Sequence, residues 1–215
     1  MNITHAKSEE VRGDRLQAIF NRQKELMEKY HAIEVRSGLM QTEDCPINLD
    51  DKRGQARLND FAWRLTEEVG EALDAKATTE HYQEELIDGL HFLTELTILT
   101  GRDFNTITDF EIGSEEEDYL ELLYNDGANM AIGSGLEDLI TKLVRELGMA
   151  MNCLKNKPWK QSQMRTDKVA FYNRLENVWL TYMGILAVAE LEPKHIVDIY
   201  LKKSQVNSFR QRSNY

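Results

Sequence analysis

Apolar residues recur at steps of three and four over most of the chain, the spacing of amphipathic helices. Leu16, Ile19, Phe20, Gln23 and Met27 predict a helix over 14–32, with the amides Asn21 and Gln23 expected at its surface. A second helix is expected over 58–76. At 100° per residue, Leu58, Phe61, Ala62, Leu65, Val69, Ala72 and Leu73 fall on one stripe. A third runs over 80–100, with Thr79 as N-cap, Gly101 as stop, and Leu86, Leu90, Leu93 and Thr97 as its stripe. A fourth covers 136–154 through Leu136, Ile140, Leu143, Val144, Leu147 and Met151. Another covers 169–190, and a last begins near Pro193, a residue suited to a first turn. Two stretches break the pattern. Residues 36–56, with Gly38, Pro46, Asp50, Asp51 and Gly54, read as a long loop and a candidate lid. Residues 102–135 are acidic and glycine-spotted, including Glu115 to Asp118, and read as a solvated connection with a short helix. Residues 1–11 are expected to fray.

The polar positions on these helices carry the chemistry. Glu68 and Glu71 are three apart on the second helix, and Glu85 and Asp88 three apart on the third, so each pair projects from one face. In projection Glu68 lies at the edge of the apolar stripe with Glu71 beside it, while Glu67 falls on the far side with Asp74. Glu85 and Asp88 lie in line with Phe92, Leu96 and Leu99 and so point inward, where an unpaired charge is expensive. The solvent wedge of that helix is read as Glu84, His91 and Glu95. A short turn sets the two pairs face to face, and four carboxylates that converge repel one another unless cations sit between them. Hard divalent ions, Mg²⁺ first and Mn²⁺ as the alternative, take oxygen ligands and act on phosphates. The expectation is a magnesium-dependent enzyme acting on a phosphate ester or anhydride.

Composition narrows this reading. With 215 residues and only 3 Pro, the chain suits one all-α domain over 1–215, a bundle of about five to seven helices. A net charge of −11 argues against a nucleic-acid binder, whose affinity rests on Lys and Arg at phosphates. It does not exclude a small phosphate substrate, because bound metal inverts the local sign. Cys45 and Cys153 show no metal spacing and predict neither disulfide nor zinc. No signal peptide or membrane span is read, so a cytoplasmic protein is expected.

The chain also echoes itself. The helical pair at 64–101 resembles a second pair at 142–190, joined by a basic turn with Lys155, Lys157, Lys160, Arg165 and Lys168. Sliding one onto the other sets Glu68 against Glu146, Glu71 against Met149, Glu85 against Asn173 and Asp88 against Glu176. Two degenerate hairpin repeats would leave the first with its ligands and let the second present its basic turn to the substrate.

EExxE followed by ExxD on the next helix resembles the motif of the all-α nucleoside triphosphate pyrophosphatases, the MazG-like superfamily. The closing run YLKKSQVNSFRQRSNY is similar to the last motif of the dimeric all-α dUTPases and the phage dCTP/dUTP pyrophosphatases. Lys203, Asn207, Arg210, Gln211 and Tyr215 match it, while Ser204 stands where the family has Asn and Asn214 where it has Gly. Gln23 matches an early family Gln, with Met27 where the family has Asn. The resemblance implies hydrolysis of a deoxynucleoside triphosphate, dUTP first and dCTP second, to the monophosphate and pyrophosphate by a homodimer. Glu68, Glu71, Glu85 and Asp88 would hold Mg²⁺, and Glu67 would orient or deprotonate the attacking water. Lys203, Arg210 and Tyr215 would contact phosphates, Asn207 the sugar or base, and Gln23 the base, with Gln211 also in the substrate site. A tail with Lys202, Lys203, Arg210, Arg212 and no acid would order on the nucleotide. An amide both donates and accepts, so neither Gln23 nor Asn207 separates uracil from cytosine at this level.

Two other classes remain open. Glu28 to His31, Asp88 to His91 and Glu192 to His195 have the Glu-x-x-His type of spacing of di-metal oxidoreductases in four-helix bundles. A non-catalytic helical dimerisation protein would use the same acids as solvated faces.

Overall fold

The computed structural model describes residues 11–77, 79–108, 118–157 and 159–212, with side chains up to Phe209. The described residues form seven helices and no strand: α1 Arg15–Ser37, α2 Lys52–Asp74, α3 Glu80–Leu99, α4 Tyr119–Ala131, α5 Leu136–Cys153, α6 Lys168–Val188 and α7 Pro193–Arg212. The all-α bundle read from the sequence is what forms. The side chains of Asp14, Asp51, Thr79, Asp118 and Asp167 cap α1, α2, α3, α4 and α6, each accepting a first-turn N–H that the helix cannot satisfy itself.

α2 and α3 form one antiparallel hairpin, and α5 and α6 another. α4 packs along α6, while α1 and α7 close over α3. The α4–α6 contact is backbone on backbone, because Gly127 and Gly184 face each other there. Trp179, Tyr182, Tyr200, Phe20 and Phe171 are the largest side chains of the core. Two of them brace α3: the Tyr182 hydroxyl donates to the Leu86 carbonyl at 2.6 Å, and Trp179 Nε1 donates to Thr97 Oγ1 at 2.9 Å. Gly89 lets Tyr182 come this close, since a Cβ there would lie 2.2 Å from its hydroxyl oxygen.

Several expectations change. The 36–56 loop is shorter, because α1 runs to Ser37 and α2 starts at Lys52. The loop is also tied down: Ile47 N–H donates to the Leu99 carbonyl at 2.8 Å, and Ile47 and Leu49 are buried. The basic turn is knit to that loop rather than to the acidic pairs. Asn156 Nδ2 donates to the Asp50 carbonyl at 2.7 Å, and Thr166 N–H donates to Asp50 Oδ1 at 2.7 Å. Both segments therefore sit at the N-terminal end of α2, and Glu68 is about 24 Å further along at 1.5 Å per residue. Leu73 and Val144, assigned to apolar stripes, are exposed, whereas Gln23, expected at the surface, is buried. Asp118, expected in a solvated run, is buried and pairs with Arg15 at 2.5 Å. The rest of that run, Glu115 to Glu117, and residues 1–10 lie outside the described residues. The second hairpin forms, but its Glu146 is buried against Arg174 at 2.7 Å, a neutral pair where the first hairpin gathers acids.

Candidate active site

The last three turns of α2 and the first three of α3 set Glu68, Glu85 and Asp88 together, with one carboxylate oxygen of each within 4.8 Å of the others. Glu85 is buried and the other two are half-buried. Burial, the charge of Asp88 and a hydrogen bond with Glu85 push the Glu68 carboxyl up to about 8. Burial also raises Asp88, but the Lys203 ammonium, 2.6 Å from Asp88 Oδ2, opposes the shift. His81 Nδ1 lies 2.9 Å from Glu85 Oε1. Lys202 holds the same edge of α3 through Glu80 at 2.8 Å and Glu84 at 3.4 Å.

Glu71 is exposed and outside this cluster, acting on Glu68 through its charge alone. Glu67 is exposed, on the far side as the projection has it.

Glu68 and Asp88 of this cluster line a cavity of about 340 Å³ formed by α1, α2, α3 and α7. Leu26, Phe61 and Phe92 supply apolar wall, and Asn207 reaches in from α7. Arg64, one turn before Glu68, lies over both rings with its guanidinium 5.9 Å from the centroid of Phe61 and of Phe92. Its Nε is held by Asp60 at 3.0 Å.

The same cavity is lined by a buried polar network of Gln23, His91 and Glu95. Gln23 Nε2 donates to Glu95 Oε2 at 2.9 Å. Gln23 Oε1 accepts from the Tyr200 hydroxyl at 2.8 Å and faces His91 Nδ1 at 2.8 Å. The His91 ring stacks on Tyr200 with centroids 3.7 Å apart. Burial, aided by the charge of Lys203, lowers His91 to about 3, so the ring is neutral. Because Gln23 Oε1 only accepts, Nδ1 carries the ring proton. Burial, then the charge of Glu34, raises Glu95 to about 7.

His91 and Glu95 thus correct the solvent wedge. His91 is buried, Glu95 is partly buried, and both line the cavity with Gln23. A helical projection assumes one dry face, whereas α3 is packed by α2, α1, α7 and α6. A signal was there in Thr94 and Thr97, small enough to go inside and each bonding a carbonyl four residues back. The other His spacings lead elsewhere: Glu28, His31, Glu192 and His195 are all exposed, and His31 faces Glu43 at 3.3 Å.

Of the expected substrate residues, Gln23 and Asn207 line the cavity and Lys203 binds the acidic cluster. Met27 lines a separate cavity with Lys24, His31 and Arg57. The side chains of Arg210 and Gln211, and all of Tyr215, lie outside the described residues.

A family model described as dUTPase matches residues 72–215, more than half of the chain. The matched span holds Glu85, Asp88, Lys203 and Asn207 and begins one residue after Glu71. No curated protein and no solved structure matches the chain.

Proposed function

The chain belongs to the dUTPase family, and on that premise we propose that it hydrolyses dUTP to dUMP and pyrophosphate in a divalent-metal site held by Glu68, Glu85 and Asp88. One observation carries the reading: three carboxylates converge within 4.8 Å, and two of them, Glu68 and Asp88, line a cavity that a buried amide network also lines. The donor set fits Mg²⁺, an all-oxygen cluster crowded enough to raise the proton affinity of Glu68. Bound Mg²⁺ there would polarise phosphate oxygens and acidify a coordinated water.

The chain's own residues would do the rest. Glu71, three residues after Glu68, can join the ligands by a side-chain rotation, and Glu67 would steer the attacking water. Lys203 would exchange Asp88 for a phosphate oxygen, assisted by Arg210 and Tyr215. Asn207 and Gln211 would hold the nucleoside, and Gln23 the base, in the cavity that Leu26, Phe61 and Phe92 wall. Arg64, unremarked in the sequence motif, is the further cation at this mouth. Motif order supports a MazG-like relationship and the phage dCTP/dUTP branch, with dCTP as second substrate and residues 1–215 as one catalytic domain. No described helix is long and apolar enough to cross a membrane.

The reading is tested with a panel of dNTPs and Mg²⁺, following pyrophosphate and monophosphate. dUTP is expected to turn over fastest, with a colourless protein and no turnover in chelator. Release of pyrophosphate from none of them would refute it.

The homodimer needs an apolar contact face. Trp63 on α2, 62% exposed, flanks the α2–α5 groove with Val144, which is also exposed. We assign the dimer contact to this face. A Trp63→Glu chain should elute as a monomer and scatter light at half the mass, whereas an unchanged dimer mass would place the contact elsewhere.

A further inference from the structure

Gln23 is 4% exposed and sits in the cavity wall with three polar neighbours. A primary amide has two lone pairs and two N–H hydrogens. Both lone pairs of Oε1 are engaged, one by the Tyr200 hydroxyl and one by His91 Nδ1–H, each at 2.8 Å. One Nε2 hydrogen goes to Glu95 at 2.9 Å. Only the second Nε2 hydrogen is left for a ligand.

The three neighbours do not fix this arrangement equally. A phenol hydroxyl can donate or accept. A neutral imidazole can do either at Nδ1 by changing tautomer. With those two alone, the amide could flip end for end, and both neighbours would adapt. An ionised carboxylate only accepts. Glu95 is therefore the one-way group in the network, and it draws the NH₂ end of Gln23 toward itself.

We infer that Glu95 is a positioning residue that locks the Gln23 amide as a donor, so that the cavity selects a pyrimidine with a carbonyl at C4 and rejects one with an amine. Uracil presents an acceptor oxygen at that position and cytosine an NH₂ donor. A donor facing a donor leaves both unpaired in a dry site, and sites built on such a hydrogen bond discriminate strongly. The inference rests on the pyrophosphatase reading for its ligand, and it deepens that reading by naming what separates dUTP from dCTP.

The test is Glu95→Gln, which keeps the shape of the side chain but makes it able to donate as well as accept. Assays are run at pH 8, above the value of about 7 to which burial raises the Glu95 carboxyl, so the wild-type group is mostly ionised. The wild-type enzyme should prefer dUTP over dCTP in kcat/KM. In Glu95→Gln that preference should fall by roughly tenfold or more, through a higher KM for dUTP and a lower KM for dCTP, with kcat for dUTP within about threefold. A purely structural role would raise both KM values together. A preserved preference in a folded Glu95→Gln protein overturns the inference, as does a wild-type enzyme that favours dCTP. Calorimetric binding of dUMP and dCMP separates this from the parent reading. If wild type hydrolyses no dNTP, the pyrophosphatase proposal fails on its own. The inference then stands if wild type binds dUMP over dCMP and Glu95→Gln does not, and falls if wild type shows no preference.

Discussion

A Glu68→Gln enzyme should release pyrophosphate from dUTP at roughly 10⁻³ of the wild-type rate or below, since metal-borne charge stabilisation of several kcal/mol is at stake. The same variant should be more stable than wild type when metal-free, and this second result marks a site rather than a scaffold. The sign follows from the carboxyl's shift. Glu68 is raised from 4.5 to about 8 by burial and by Asp88 and Glu85, so the folded chain holds a proton that the unfolded chain releases. Its contribution to stability is greatest below pH 4.5 and is lost as pH rises toward 8. Glu68→Gln, which has no charge to lose, should match wild type in Tm near pH 4.5 and exceed it increasingly up to about pH 8, above which the gain levels off. Added Mg²⁺ should reverse the order by raising wild type alone. Thermal melts at several pH values, with chelator and with Mg²⁺, check each part. Undiminished hydrolysis by Glu68→Gln would remove Glu68 from the site.

Gly127→Ala should lower Tm without changing the chemistry. The added Cβ would stand 2.6 Å from Met183 Cβ, 2.7 Å from the Leu180 oxygen and 2.8 Å from the Gly184 nitrogen. Two of those atoms are backbone and cannot rotate away, so α4 must move off α6. Overpacking of this kind costs about 1–3 kcal/mol, or roughly 3–10 °C in a chain of this length. Gly148→Ala is the control. It lies inside α5 with nothing within 4 Å of its Cβ, and a mid-helix Gly→Ala change is favourable by about 0.5–1 kcal/mol. Below the transition, Gly127→Ala should keep the wild-type Mg²⁺ dependence and the dUTP KM. A Tm equal to wild type would mean that the α4–α6 contact is looser than its geometry requires.

What was legible in the sequence was whatever one helix can express alone. Periodicity located α2, α3, α5, α6 and the start of α7, and Thr79 and Pro193 marked their ends. The inward turn of Glu85 and Asp88 could be read because they continue a line through Leu96 and Leu99, both fully buried. What escaped depends on several helices at once. Gln23 is buried because Tyr200, His91 and Glu95 from two other helices satisfy it, and no pattern in α1 carries that information. Glu71 has the right spacing yet is exposed, because three residues is 300° of turn and leaves it about 60° around the helix from Glu68. The basic turn pointed toward phosphate by composition alone. Asn156 and Thr166, two uncharged residues, decide where it sits.

The ion pair between Lys203 and Asp88, 2.6 Å long, joins residues 115 positions apart in the chain. With this pair in place, the bundle need not wait for a metal in order to fold. An internal ammonium, delivered when the last helix docks, already offsets part of the acidic charge. Assembly and loading become separate events. Chelation should empty the site and leave the bundle standing, ready to be refilled.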